Sequence, residues 1–314
     1  MRVLACLLNY KTPDLTQKAL EKLLPEIRAL PGSRICIVDN DSQDGSVEKI
    51  SVGVAGLSAG DVVDVVASGR NGGYGFGNNV ALRRGLSSPE PPDYFYLLNS
   101  DAFMAPGSLQ ALVAYLDTHP DVGIAGSYVH GIDGDPHTAA FTFPSLWSEV
   151  EGTVRLGPVT RLLARHRVPR PIPAESTDDV DWVTGASMLI RRDVLDKIGL
   201  FDETFFLYFE ETDLCRRAHN AGFKVAFVRE ASVAHIQGAT TGVTNLKRRT
   251  PGYVLDSRRW YFLKHHGRPY LWAANVAHGV GMLSFRIRRR LQNKPDPDFE
   301  SALSDFIVHC LKHP

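Results

Sequence analysis

The sequence predicts an α/β chain: a mostly parallel central sheet flanked by helices, followed by a C-terminal helical appendage. Three observations carry that reading. Val3 to Leu8, Ile35 to Val38 and Phe95 to Leu98 are short unbroken apolar runs, the pattern of parallel strands covered on both faces. Stretches with helical spacing separate them, and a strand–helix–strand rhythm favours a parallel sheet with right-handed crossovers. Each run stops at polar side chains, Asn9, Asp39 and Asn99-Ser100-Asp101, which a parallel order gathers on one edge. Ligands of open α/β sheets bind at that edge, outside the carboxyl ends of the strands.

At 314 residues the chain is long enough for one large domain or a domain with an appendage. Lys plus Arg and Asp plus Glu are equal at 35 each, so bulk charge offers no argument for nucleic acid as a partner. Cys6, Cys36, Cys215 and Cys310 show no paired spacing and sit mostly in apolar segments, which points to reduced thiols and a cytoplasmic setting. The apolar start is shorter than a signal peptide's and lacks a small-residue cleavage site, so it reads as a first strand. No stretch reaches the roughly 20 apolar residues of a spanning helix.

Taken in order, the first strand is followed by Thr12-Pro13-Asp14, a helix start, and then by Leu15, Leu20, Leu23 and Leu24 at broadly helical spacing. After Ile35 to Val38, Asp44-Gly45-Ser46 opens a second helix. Val62 to Ala67 is a third strand, and Arg70 to Asn79 is rich in glycine before a helix from Val80 to Leu86. Those glycines serve either close approach to a ligand or a turn needing positive φ. The fourth strand ends in Asp101, which is either a contact for a cation or charged substrate or a cap for the helix that Pro106 begins.

Three of these stretches together carry a resemblance. Val38-Asp39-Asn40-Asp41-Ser42-Gln43-Asp44-Gly45-Ser46, Asn71-Gly72 to Asn79, and Leu97-Leu98-Asn99-Ser100-Asp101 resemble the nucleotide-sugar half of family 2 glycosyltransferases with the GT-A fold, especially the rhamnosyltransferase-like branch. The resemblance implies that Asp39 and Asn71 contact the nucleobase, with Asn9, Gly72, Asn79, Asn99 and Ser100 completing the nucleotide-sugar site. It makes Asp101 the last acid of a D-x-D-type metal motif whose first acid is Asn99 here. A single carboxylate holds a divalent ion less strongly, so a further ligand is expected downstream. The chemistry asks for Mg²⁺ or Mn²⁺, because a departing nucleoside diphosphate carries charge that such an ion stabilises, and Mn²⁺ also accepts imidazole.

Pro106 to His119 reads as a helix and Val122 to Gly126 as a strand. From residue 130 to 180 glycines and prolines break the pattern, leaving helical stretches only around Ser148 to Val154 and Val159 to His166. Such segments often form lids. Its arginines, Arg155, Arg161, Arg165, Arg167 and Arg170, make either a phosphate-facing lid or a solvated face. Order returns at Asp181 to Arg192, which by resemblance leads to the acceptor region and assigns Trp182, Thr184 and Gly185 to it. Core packing is the other reading of Trp182.

Glu210, Glu211 and Asp213 follow an aromatic run at a helix start, whose positive end tolerates acids. They match the family's Glu-Asp pair plus a later Asp. The resemblance implies that Glu211 is the catalytic base, standing where the family has Asp, with Glu210 as the alternative and Asp213 on the acceptor side. A carboxylate suits removal of a proton from an acceptor hydroxyl as that oxygen attacks the sugar. After the strand Phe223 to Val228 comes His235, structural by itself and a metal ligand by resemblance.

The remainder is helical. Residues 270–290 combine aromatic and apolar residues with Arg286, Arg288, Arg289 and Arg290, and either pack on the catalytic domain or touch an anionic membrane surface peripherally. The expected division is a catalytic domain over 1–245 (nucleotide-sugar half 1–126, acceptor and catalytic half 127–245) and a helical region over 246–314. The resemblance spans about residues 3 to 240. It implies an inverting transfer of a sugar, L-rhamnose from dTDP-rhamnose first and a UDP-sugar second, to a glycan or lipid-linked saccharide. Two other classes stay open: a sugar nucleotidyltransferase, which would need a basic glycine-rich loop that Asn9-Tyr10-Lys11-Thr12 is not, and a non-catalytic nucleotide-sugar-binding relative.

Overall fold

The computed structural model describes residues 1–236 and 249–313, so the expected boundary at 245/246 lies outside the described residues. The amino-terminal half alternates β1 (Val3–Asn9), α1 (Pro13–Arg28), β2 (Arg34–Asp39), α2 (Ser46–Gly56), β3 (Val63–Ala67), α3 (Gly73–Leu86) and β4 (Tyr94–Asn99). β1 pairs in parallel with both β2 and β4, and β2 with β3. The register sets Asn9 opposite Asp39 and Leu8 opposite Asn99. The polar residues that end the apolar runs therefore lie side by side.

The second half departs from simple parallel winding. After β5 (Ala102–Met104), α4 (Ser108–Thr118) and β6 (Val122–His130), the segment expected to be irregular holds β7 (Pro136–His137), β8 (Ala140–Phe141), α5 (Leu146–Val154), α6 (Gly157–Leu162) and β9 (Thr177–Val180), and β10 (Trp182–Val183) follows it. Then come β11 (Ser187–Arg191), α7 (Arg192–Ile198), α8 (Glu210–Asn220), β12 (Lys224–His235), α9 (Gly252–Leu291) and α10 (Ala302–Lys312). The main sheet runs β3-β2-β1-β4-β11-β6-β12-β5, with β7 on β6 and β9 on β12. β11 is antiparallel to both neighbours, and β5 is antiparallel to the end of β12, pairing His235 with Ala102. The expected strand from Phe223 to Val228 is thus the first part of a 12-residue strand that delivers His235 to the edge beside Asp101.

Two apolar cores cover the sheet. On one face Leu20, Leu23, Ile27, Leu112 and Leu116 of α1 and α4 meet inward residues of β1, β2 and β4; on the other Leu82, Val194, Leu214 and Ala218 meet Phe95, Leu97 and Phe227. A third, smaller core of Phe205, Tyr261, Phe262, Leu271 and Ala274 seats α9 on the segment that leads into α8. α9 breaks at Gly267 (φ 79°, ψ 174°), so two helices follow one another, the second begun by Pro269.

The glycine-rich stretch is the opening of α3 rather than a loop before a helix at Val80. Gly73 (φ 88°) explains why glycine stands there: a Cβ would lie 1.8 Å from the Phe206 carbonyl oxygen, which accepts the Tyr74 N–H at 2.9 Å. Backbone meets backbone at that point, with no room for a side chain.

Candidate active site

A cleft of about 450 Å³ opens at the carboxyl edge of β1 and β4, within the usual range for a small-molecule site. Asn40, Asn71, Asn99, Ser100 and Asp101 line one side. Thr184, Gly185, Glu210 and Glu211 line the other, and His235 joins them from β12. Apart from Asn40, these are the residues singled out in the sequence that the fold brings together.

Asp101 and His235, 134 positions apart, are in contact: Nε2 lies 3.0 Å from Asp101 Oδ1, and both side chains are largely buried. The pairing of β5 with β12 is the cause, reinforced by the Ile236 N–H donating to the Asp101 carbonyl at 3.1 Å. Ser100 is held by a 2.9 Å hydroxyl contact to Thr12 at the start of α1.

On the side expected to meet a nucleotide, Asp39 accepts from Asn9 Nδ2 at 2.6 Å, from the Ser42 hydroxyl at 2.6 Å and from the Ser42 N–H at 3.0 Å. Asn9 and Asp39 are buried and do not line the cleft; they hold the turn that presents Asn40. Asn40 Nδ2 in turn donates to Asn71 Oδ1 at 3.1 Å and to the Gly73 carbonyl at 3.0 Å, joining the ends of β2 and β3 into one wall.

The acids at the start of α8 are reached through an unusual backbone. Tyr208 (φ 69°) and Phe209 (φ 71°) are consecutive non-glycine residues in the left-handed region. Such conformations cost energy and concentrate at functional sites. The fold holds them by burying Phe205 and packing Phe209 against Tyr261 at 5.4 Å between ring centroids. As a result Glu210 and Glu211 stand in the first turn of the helix, and one carboxylate oxygen of each is buried with no hydrogen-bond partner. Burial raises both carboxyls above their ordinary value; the Glu211 charge raises Glu210 further, and hydrogen bonds from its own backbone and from the Gly185 backbone pull Glu211 partly back. Tyr74 closes this corner, donating to the Gly185 carbonyl at 2.6 Å. A Cβ on Gly185 would lie 2.8 Å from the Tyr74 oxygen, so Tyr74 is the group whose close approach this glycine permits.

Besides Asn9 and Asp39, four more of the expected site residues lie outside the cleft lining. Asn79 is fully buried and donates to the Phe201 carbonyl and to Glu203 while accepting from the Phe201 N–H, which ties α3 to the segment before α8. Asp213 is fully buried and faces α9: Arg217 Nε, Lys264 Nζ and His265 Nε2 lie 2.8, 2.7 and 2.8 Å from it. Burial would raise its carboxyl, but His265, Arg217 and Lys264 hold it below the usual range. Trp182 stacks on Phe141 at 4.0 Å and donates Nε1 to the Thr142 carbonyl, the packing alternative. Gly72 lies against the Phe76 ring, and Gly73 lines the cleft in its place.

Sequence reading missed Asn40, Tyr74 and Tyr253, all at the cleft wall. Asn40 was legible as the neighbour of Asp39. Tyr253 carries no local signal, since it arrives on α9 from beyond the sheet, where Ser257 donates to the Leu207 carbonyl at 3.1 Å.

Comparison with known proteins bears on this geometry. The profile of the family described as glycosyltransferase like family 2 matches residues 2–262. The chain is 29% identical over 256 residues to the N-acetylglucosaminyl-diphospho-decaprenol L-rhamnosyltransferase of Mycobacterium tuberculosis, covering 78% of this chain and 76% of that one. It is 26% identical over 221 residues to a rhamnosyltransferase of Escherichia coli, covering 69% and 78%. In fold it is similar to a mannosyltransferase from Pyrobaculum calidifontis determined with GDP-Man and Mn²⁺, with a TM-score of 0.60 at 13% identity over 99% of this chain and 86% of that one.

Proposed function

The chain belongs to the family 2 glycosyltransferases of the GT-A fold, and from that premise we propose that it transfers L-rhamnose from a nucleotide sugar, dTDP-rhamnose, to a lipid-linked saccharide with inversion. The names of the two rhamnosyltransferase relatives support the sugar, and the decaprenol-linked substrate in one of those names supports the acceptor class. The observation that carries the chemistry is the unpartnered oxygen on each of Glu210 and Glu211, buried in the same cleft as Asp101 and His235. A buried carboxylate without a partner is costly, and such groups concentrate where a proton has to be taken.

In this reading Glu211 accepts the proton of the acceptor hydroxyl while that oxygen bonds to the anomeric carbon. The bond from that carbon to the diphosphate breaks as it does so, and the diphosphate leaves with the electron pair. A carboxyl raised by burial is a stronger base than one in water. Asn40 and Asn71 form the wall for the nucleobase, and Thr184 and Gly185 border the acceptor side. The donor set of one carboxylate oxygen and one imidazole nitrogen, 3.0 Å apart at Asp101 and His235, fits Mn²⁺ and, with fewer protein contacts, Mg²⁺. When bound, the ion supplies positive charge to the leaving diphosphate.

The test is a panel of nucleotide sugars with Mn²⁺ or Mg²⁺, scored by thermal shift and by release of nucleoside diphosphate. Rhamnose transfer with dTDP-rhamnose is expected, and a response to UDP-hexoses alone would replace the donor. Glu211→Gln is expected to keep donor binding and lose transfer by ~10³-fold, the scale of a general base. Transfer near the wild-type rate would remove Glu211 from this role, and Glu210→Gln would then be the variant to lose it.

A further inference from the structure

Most of the exposed large hydrophobic side chains gather away from the residues that line the cleft. Among the described residues, 17 large hydrophobic side chains are exposed, and nine of them belong to the second part of α9 and to α10. On α9 they are Trp272, Val276, Val280, Leu283, Ile287 and Leu291, 47% to 81% exposed. The spacing of four, four, three, four and four keeps all six on one face of the helix, a stripe about 28 Å long at 1.5 Å per residue. Ile307, Val308 and Leu311 of α10 continue the face, and the two helices enclose an apolar groove of about 350 Å³.

Along α9 the charge near this stripe has one sign, while Asp296, Asp298 and Asp305 beside α10 are paired with Arg286, Arg155 and Arg249 and Glu300 is exposed. Residues 257–295 contain nine Lys and Arg and no Asp or Glu. Some of those cations are engaged inside the fold, Arg258 with Glu149 and Lys264 with Asp202. Arg268, Arg290 and Lys294 are exposed and form no ion pair among the described residues. By helical geometry Arg290 and Arg268 border the stripe, one near each end. An apolar face rimmed by cations, with a tryptophan at one end, is the pattern of a helix lying in a membrane interface. Among the described residues no helix is long and apolar enough to cross a membrane. The charge argues against a second copy as the occupant: two stripes packed antiparallel would set Arg268 against Arg290 and Lys294, and packed in parallel would set Arg290 against itself.

We propose that α9 and α10 dock the protein on an anionic lipid surface, with the apolar stripe in the acyl boundary and Arg268, Arg290 and Lys294 on the headgroups. The same helix supplies Tyr253 to the cleft, so the docked face and the catalytic cleft are connected through α9 across the bend at Gly267.

The experiment is flotation of the full chain with vesicles of phosphatidylcholine alone and with added phosphatidylglycerol, at low and high salt. Binding confined to the anionic vesicles and weakened by salt is expected. Val280→Asp/Leu283→Asp should abolish it, and Arg290→Glu/Lys294→Glu should weaken it ~tenfold or more. Circular dichroism and melting temperature of both variants check that they fold, as is expected for exposed positions. Absence of vesicle binding by the folded wild type would overturn the proposal. So would unchanged binding by Val280→Asp/Leu283→Asp, which would place the contact elsewhere. A dimer in light scattering that this variant disperses, without vesicle binding, would make the face a contact between copies and overturn it equally.

Discussion

Two sets of carboxylates are buried against the elements around α9, and their environments move them in opposite directions. Glu149, in the first turn of α5, accepts from Arg258 Nε at 3.2 Å on Oε1 and 3.3 Å on Oε2, and His278 Nδ1 lies 2.5 Å from the same Oε2. Burial alone would raise its carboxyl, but the charges and hydrogen bonds of Arg258 and His278 hold it down at about 2. Glu210 and Glu211 are buried as well, have no cation beside them, and are raised. Burial therefore does not set the state of a carboxylate by itself; the partners decide. The paired acid is a staple between α5 and the C-terminal helix α9. The unpaired acids carry the burial cost without a compensating cation, which is what the proposed role as base requires.

Breaking the pairs tests this contrast most strongly. Glu149→Gln leaves Arg258, only 7% exposed, without its counter-charge, and is expected to cost about 3–5 kcal/mol in unfolding by denaturant. Transfer per folded molecule should stay near wild type. Glu211→Gln should do the reverse, keeping or raising the melting temperature while losing transfer. If Glu149→Gln proved harmless to stability, or Glu211→Gln as destabilising as it, the contrast would fail.

The pH dependence of stability sharpens the same comparison, because the two sets have opposite signs. Glu149 is depressed from an ordinary 4.5 to about 2, so its contribution is complete above about 4.5 and is lost as pH falls toward 2. The Glu210–Glu211 pair is raised, so the folded state holds protons that the unfolded chain has released; stability contributed by the protonated pair is present at low pH and declines as pH rises above the ordinary 4.5. Unfolding measured across pH should show the acid-side loss vanish in Glu149→Gln and the higher-pH decline flatten in Glu210→Gln. In the wild type the acid limb of transfer by free enzyme should lie above the ordinary carboxylate range.

The smallest effect separates packing from acceptor binding on the far side of the cleft. Trp182→Phe removes one hydrogen bond to the Thr142 carbonyl and keeps an aromatic ring on Phe141, for a loss of about 1 kcal/mol. Acceptor KM should not move. A rise in KM with unchanged stability would return Trp182 to the acceptor site.

Legibility in the sequence followed the range of the interactions involved. β1, β2 and β4 announced themselves because a strand buried on both faces is apolar throughout, and the polar residue that ends it is visible in one dimension. The glycines of α3 were visible but not their purpose, since the partner of Gly73 is the Phe206 backbone 133 positions away. Asp213 looked like a site acid because it follows Glu210 and Glu211 at a helix start. Asp213 stands two positions after Glu211, however, about half a turn around the helix, so its side chain points to α9 while Glu211 points to the cleft.

By itself the sequence determined the parallel amino-terminal half, the edge on which its polar residues gather, and the acidic helix start, because periodicity and caps are local properties. Only the tertiary structure decided which of those polar residues share a cleft. Contact between Asp101 and His235 required the short antiparallel β5 at the end of β12, and the difference between Glu149 and Glu211 required knowing which cations fold back beside each. Electrostatic environment is a sum over neighbours in space, and neighbours in space are what a linear pattern leaves open.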